Sequence, residues 1–158
     1  MKRRFLAVVL LVVLMASVFA VPASAASTAK IYKVNVQGAR LRSGPGNYSW
    51  SKPSLNKGQR VLYLGKHQNS FYYVYTSGGR KGWVYKGFLS SYGAVNKSQV
   101  YRATKAGYLY KKGSSKSGHA GKVSKNEYLF VYSVKGRWAY VKKMNGKGGY
   151  IPASRLKK

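Results

Sequence analysis

Apolar positions follow two different patterns along this chain. Residues 5–19 form a single run broken only by Ser17, with Lys2, Arg3 and Arg4 before it and Pro22 and Ala23-Ser24-Ala25 after it. A positive head, an apolar stretch and a small-residue cleavage motif predict a secretory leader over residues 1–25. The stretch is shorter than the roughly 18–20 residues a spanning helix needs. Cleavage is expected to leave no membrane span, and the remainder is expected to be secreted, extracellular or cell-wall associated. Beyond the leader the pattern becomes short runs such as 60–64 (RVLYL), 71–75 (FYYVY) and 82–85 (GWVY), rich in β-branched and aromatic residues. Between them, residues 65–70 and 76–81 carry Gly, Ser and Asn and read as turns. Ser77-Gly78-Gly79 and Met144-Asn145-Gly146 stand where hairpin turns are needed. No window after the leader shows a helical stripe, so the chain is expected to be all-β, with units of small barrel or sandwich type.

The same pattern occurs twice. Leu41 aligns with Leu109, and Leu55, Lys57, Val61 and Leu62 align with Val123, Lys125, Leu129 and Phe130, all at an offset of 68. Beyond one loop deletion the offset is 67, pairing Phe71 with Trp138, Tyr73 with Tyr140, Val74 with Val141, Trp83 with Tyr150 and Leu89 with Leu156. A period this long means two tandem domains, since solenoid repeats are about 20–50 residues. The expected division is a domain at 30–91, a polar linker at 92–100 and a second domain at 101–158. Units near 60 residues bury only about 60% of their unfolded surface, so their aromatic content must help hold them.

Composition narrows the function. The chain has 158 residues, 30 Lys and Arg, two His, no Cys and one acid, Glu127, for a formal charge of +29. Without Lys2, Arg3 and Arg4 there remain 27 cations against one anion. One carboxylate cannot supply the paired acids of general acid–base catalysis or of hard-cation sites. Absence of cysteine removes thiolate metal sites, disulfides and cysteine nucleophiles. His119 and Glu127 lie eight residues apart, but no nucleophile or oxyanion donor accompanies them. The expectation is a non-enzyme without cofactor or metal, whose partner is negatively charged.

The run Ala39-Arg40-Leu41-Arg42-Ser43-Gly44-Pro45-Gly46, followed by Leu55-Asn56-Lys57-Gly58, Phe71-Tyr72-Tyr73-Val74 and Gly82-Trp83-Val84, resembles the bacterial SH3-type domain in order and spacing over residues 34–89. The second copy keeps the strands but replaces the Arg-Ser-Gly-Pro run with Tyr108-Leu109-Tyr110-Lys111-Lys112-Gly113. Its Tyr and Lys density is also similar to the C-terminal cell-wall-anchoring repeats of lactobacillus surface-layer proteins. The resemblance implies two tandem small SH3-like β barrels. It implies binding to peptidoglycan or its peptide bridges, often beside a hydrolase domain, for which no catalytic constellation is visible.

Candidate ligand contacts follow from side-chain type and position. Tyr48 and Trp50 sit in a polar loop, where aromatics favour binding. Arg42 is a candidate, with snorkelling along the barrel wall as the plain alternative. Trp83, Tyr150 and Trp138 offer stacking faces for sugar or peptide, against the ordinary alternative of core aromatics. Tyr72 belongs to a strand in which Tyr72, Tyr73 and Tyr75 cannot all face inward. Tyr108 and Tyr110 complete the set. Candidate contacts to anionic polymer are Arg40, Lys57, Arg80, Lys81, Lys111, Lys112, Lys142, Lys143 and Lys147. Lysine excess favours point-charge contact over bidentate recognition, which suits phosphate-bearing teichoic polymers.

The leading expectation is a secreted, non-catalytic cell-envelope binding protein whose tandem basic domains engage peptidoglycan, anionic wall polymers or both. A cationic antimicrobial or adhesin acting on other cells, and a non-catalytic modulator of a wall hydrolase, are the competing expectations. Basic and aromatic interleaving also fits single-stranded nucleic acid, but secretion argues against that partner.

Overall fold

A computed structural model describes residues 27–158; the expected leader lies outside the described residues. The chain is all-β and forms two seven-stranded antiparallel sheets. The first comprises β1 (Thr28–Val34), β2 (Ala39–Arg42), β3 (Ser51–Leu55), β4 (Arg60–Gln68), β5 (Phe71–Thr76), β6 (Lys81–Tyr85) and β7 (Leu89–Asn96). The second comprises β8 (Val100–Ala103), β9 (Gly107–Tyr110), β10 (His119–Val123), β11 (Tyr128–Lys135), β12 (Trp138–Lys143), β13 (Gly148–Pro152) and β14 (Leu156–Lys157). Strand order is 3-2-6-5-4-1-7 in the first and 10-9-13-12-11-8-14 in the second. Adding seven to each number converts one order into the other, so the two halves share one topology. Among the described residues no helix is long and apolar enough to cross a membrane.

Each sheet wraps one core. Period-two alternation sends Leu41, Leu55, Val61, Val74 and Val84 inward, with Val34 and Ala39, in the first half. Leu109, Val123, Leu129, Val141 and Ile151, with Ala103 and Ala139, do the same in the second. The glycine of the Gly-Trp-Val motif is required by close approach: a Cβ on Gly82 would lie 2.7 Å from the Arg42 carbonyl oxygen. One on Gly149 would lie 2.8 Å from the Leu109 Cβ. The two expected hairpin turns close with matching hydrogen bonds, Gly79 N–H to the Thr76 carbonyl at 3.1 Å and Gly146 N–H to the Lys143 carbonyl at 2.9 Å.

The loop carrying the Gly-Pro-Gly signature is also repeated, although its sequence is not. Ser43 N–H donates to the Trp50 carbonyl (2.9 Å) and Ser49 N–H to that of Gly46 (3.2 Å). Sixty-eight residues on, Lys111 N–H donates to Gly118 (2.8 Å) and Ser117 N–H to Ser114 (3.1 Å). Serine hydroxyls stand in for the lost glycine and proline there. Ser117 Oγ donates to the Ser114 carbonyl at 2.8 Å and accepts from Lys112 N–H at 3.1 Å.

The expected polar linker at 92–100 is taken up by the end of β7, a turn and the start of β8. Residues up to Asn96 belong to β7, which pairs along β1 from Asn96↔Thr28 to Leu89↔Val34. A single 3-10 turn, Lys97–Gln99, then leads directly into β8. A third buried cluster joins the halves: Ala29, Ile31 and Leu62 from the first, Val100, Phe130 and Met144 from the second. Tyr75 meets Tyr128 edge-on at 4.9 Å, and Arg60 Nη1 donates to the Met144 carbonyl at 2.9 Å. Each large side chain buried there contributes about 1.5–3 kcal/mol, a real supplement to two marginal 60-residue units.

Candidate functional site

One side of each strand feeds the core of its half, and the other side, where the cluster between the halves does not cover it, is left to water or to a ligand. In the second half that outer face is aromatic. Trp138 and Tyr140 alternate with buried Ala139 and Val141 on β12, and Tyr150 alternates with Gly149 and Ile151 on β13. Tyr150 lies opposite Tyr140 on one side and Tyr110 on the other. Ring centroids run Tyr132–Tyr140 6.5 Å and Tyr140–Tyr150 5.2 Å. Tyr110 meets Trp138 edge-on at 5.4 Å, and exposed Tyr108 stacks on His119 at 3.9 Å and 6°. Five expected contacts, Tyr108, Tyr110, Trp138, Tyr150 and Lys142, are thus on one continuous face. Lys142 Nζ sits 5.0 Å over the Tyr132 ring.

At one end of this face lies a groove of about 670 Å³ lined by Tyr110, Ser115, Arg137, Trp138, Pro152, Ala153, Ser154 and Arg155. Tyr110 comes from β9, Ser115 from the serine loop, and Arg137 and Trp138 from the β11–β12 turn and strand. The remaining residues come from the end of β13 and the 3-10 turn Ala153–Arg155. A groove of about 340 Å³ occupies the equivalent place in the first half, lined by Arg40, Arg42, Asn47, Tyr85 and Phe88. By the repeat offsets Arg42 corresponds to Tyr110, Asn47 to Ser115, Tyr85 to Pro152 and Phe88 to Arg155.

The first-half candidates are more dispersed. Tyr48 and Trp50 are 105% and 69% exposed at the loop tip. Trp83 is only 6% exposed, with Tyr73 edge-on at 5.2 Å and Lys66 Nζ 5.4 Å from its ring. It therefore offers little surface to a ligand. Tyr72 points the opposite way, stacked on Tyr63 at 4.5 Å and tilted on Tyr32 at 5.5 Å beside the first core. Burial pushes the Tyr32 and Tyr63 phenols above their ordinary range, and Tyr72 beside them adds to the shift. Arg42 donates from Nη1 to the Asn47 and Ser49 carbonyls, pinning its own loop.

Among the expected anionic-polymer contacts, Arg40, Lys57, Lys81, Lys111, Lys112 and Lys147 are exposed. Arg80 is exposed too, and its Nη1 donates to the Pro53 carbonyl at 3.1 Å. Lys143 is engaged: its Nζ lies 3.0 Å from Glu127 Oε1 and donates to the Lys122 carbonyl at 2.8 Å. Sequence reasoning missed Tyr85, Phe88, Tyr132, Tyr140, Arg137, Arg155 and Ser115. Tyr140 was accessible in principle, since it stands two residues after Trp138 on a strand and so shares its face. Arg155 was not, because its partner in the repeat is Phe88 and residue type gives no hint of the shared position.

Residues 37–90 match the bacterial SH3 domain family, a span running from the residues before β2 to the start of β7. No curated protein matches the chain. The chain is similar to the solved structures of NlpC1 and NlpC2 from Trichomonas vaginalis, at 16% and 17% identity and TM-scores of 0.36, over 85% and 84% of this chain and 48% and 49% of theirs. It is also similar to an NlpC/P60 family protein from Bacillus cereus, at 16% identity and a TM-score of 0.35, over 81% of this chain and 56% of that one. The chain thus spans about half the length of these structures.

Proposed function

We propose that this protein is a non-catalytic binder of the bacterial cell envelope, exported by its leader, whose two halves together engage peptidoglycan and anionic wall polymers. The observation that carries this reading is the second-half groove. Aromatic rings and guanidinium groups line one cavity, on a chain whose single acid is buried and ion-paired elsewhere. The bacterial SH3 match over residues 37–90 supports a wall-related role. Cations spread over the surface supply long-range attraction to a polyanion, while aromatic faces supply shape. Packing of the two halves through a shared core holds two grooves in one body, so the second contact forms at high effective concentration.

Sedimentation with purified walls tests it, using intact walls and walls stripped of teichoic polymers, across a salt series. Binding at low salt should weaken as the Debye length falls from about 10 Å at 0.1 M to 3 Å at 1 M. A residue of binding to stripped walls should remain through the aromatic grooves. Protein that stays in the supernatant at low salt with both wall preparations overturns the reading.

A further inference from the structure

The two grooves are equivalent in position but not in chemistry, and this difference says which one recognises the ligand. In the first half the guanidiniums come from the strand, Arg40 and Arg42, and the rings come from the far wall, Tyr85 and Phe88. In the second half the ring comes from the strand, Tyr110, with Trp138 beside it, and the guanidinium comes from the far wall, Arg155. Exchange of the two types across one groove preserves the pairing of a ring with a cation.

The decisive contrast lies in what each guanidinium already does. Arg42 spends its Nη1 donors on its own loop, reaching two carbonyls. Arg137 and Arg155 make no side-chain hydrogen bond or ion pair among the described residues. Two guanidiniums therefore line one groove without a protein acceptor among the described residues. Their placement is still defined. Arg155 lies across Gly107, where a Cβ would come within 2.5 Å of its Nη1. Trp138 lies against Gly113, where a Cβ would meet its ring carbon at 3.3 Å. Both residues thus pack against glycine backbone. The hydroxyls of Ser115 and Ser154 complete the rim.

Resting on the envelope-binding reading, we infer that the second-half groove is the primary recognition site, and that its ligand is an anionic saccharide. A sugar ring covers Trp138 and Tyr110, and a carboxylate or phosphate on that ring is taken by Arg137 and Arg155. Guanidinium suits both oxyanions, through planar paired donors. The groove in the half that matches the bacterial SH3 family is the weaker one, because it is about half the volume, has no tryptophan among its lining residues and has Arg42 tied to its own loop.

Two measurements on the full chain without its leader test this. The first compares wall affinity of R137Q/R155Q with that of K33Q/K125Q, which removes equal charge from exposed positions outside both grooves. The groove variant should lose at least tenfold, the surface variant no more than about twofold. Equal losses overturn the groove assignment while leaving wall binding by diffuse charge intact. The second follows the Trp138 indole N–H by NMR during titration with a galacturonate tetrasaccharide, a poly(glycerol phosphate) and a neutral chitotetraose. A shift saturating with the uronate and much weaker with chitotetraose is expected, and it vanishes in R137Q/R155Q. A response to poly(glycerol phosphate) as strong as to the uronate overturns the ring requirement. No Trp138 response to the uronate overturns the ligand class. This arm reads the groove even if wall sedimentation fails, so the two readings fail separately.

Discussion

Glu127 Oε1 lies 3.0 Å from Lys143 Nζ, and the acid's side chain is 4% exposed. The repeat places Gln59 and Thr76 at these two positions in the first half. Both Gln59 and Glu127 receive the backbone N–H three residues earlier, from Asn56 at 3.2 Å and Ser124 at 2.8 Å. The acid is therefore a turn-closing residue with a counter-charge beside it. Glu127→Gln keeps the acceptor but strands Lys143, and should cost about 3 kcal/mol in urea denaturation at pH 7. The double variant E127Q/K143T, which copies the first half, should recover most of that loss. A double variant no more stable than the single one would remove the ion pair as the cause.

The shared core should make the halves unfold as one cooperative unit. Phe130 is 2% exposed within it, and Phe130→Ala should cost about 3–5 kcal/mol. Calorimetry should then resolve two transitions where the parent shows one. A single transition at the parent's midpoint would mean that the contact between halves contributes little.

Stability should fall at high pH through Tyr128. Burial pushes its phenol above 10.0, with Tyr75 adding to the rise. The folded state then holds the proton more tightly than the unfolded chain. That contribution is complete below pH 10.0 and is lost as pH rises through the folded value. Tyr128→Phe should therefore gain on the parent steadily above pH 10, a difference that also cancels the common effect of lysine deprotonation. Parallel stability profiles from pH 9 to 12 would contradict this.

Two tryptophans of the first half should separate contact from folding. Trp50, 69% exposed, should change stability by less than about 0.5 kcal/mol when made Ala, so lost wall affinity would report contact. Trp83, 6% exposed, should cost about 3–5 kcal/mol on the same change. Circular dichroism melts and wall sedimentation on both variants give the comparison. A destabilised Trp50→Ala would place that ring in packing rather than in recognition.

Much of the fold was legible from particular residues. Leu41 and Leu109, or Val74 and Val141, occupy inward positions whose apolar class survives duplication because each core tolerates no polar group. Tyr108, Tyr110 and Trp138 are candidates by residue type; that they share a face with Tyr140 and Tyr150 comes from the strand pairing. Lys143 is a candidate polymer contact by sequence, and nothing in its neighbours announces that Glu127 reaches it from the turn between β10 and β11. The polar composition of the 92–100 linker gives no sign that pairing with β1 makes its first part an edge strand.

By itself the sequence determined two all-β halves of the same design, their inward residues, and an overwhelmingly positive surface. Alternation and composition are local properties, so a single chain reading captures them. Tertiary structure alone decided which outward faces are covered. Val61-Leu62 and Leu129-Phe130 each place two buried residues in succession, which means that both sides of a strand are occupied. The covering partner is the other half of the chain. The same long-range closure separates arginines that hold their own loops, such as Arg42, from Arg137 and Arg155, which it gathers with Trp138 into an open groove. Charge count treats these alike; hydrogen-bond geometry does not.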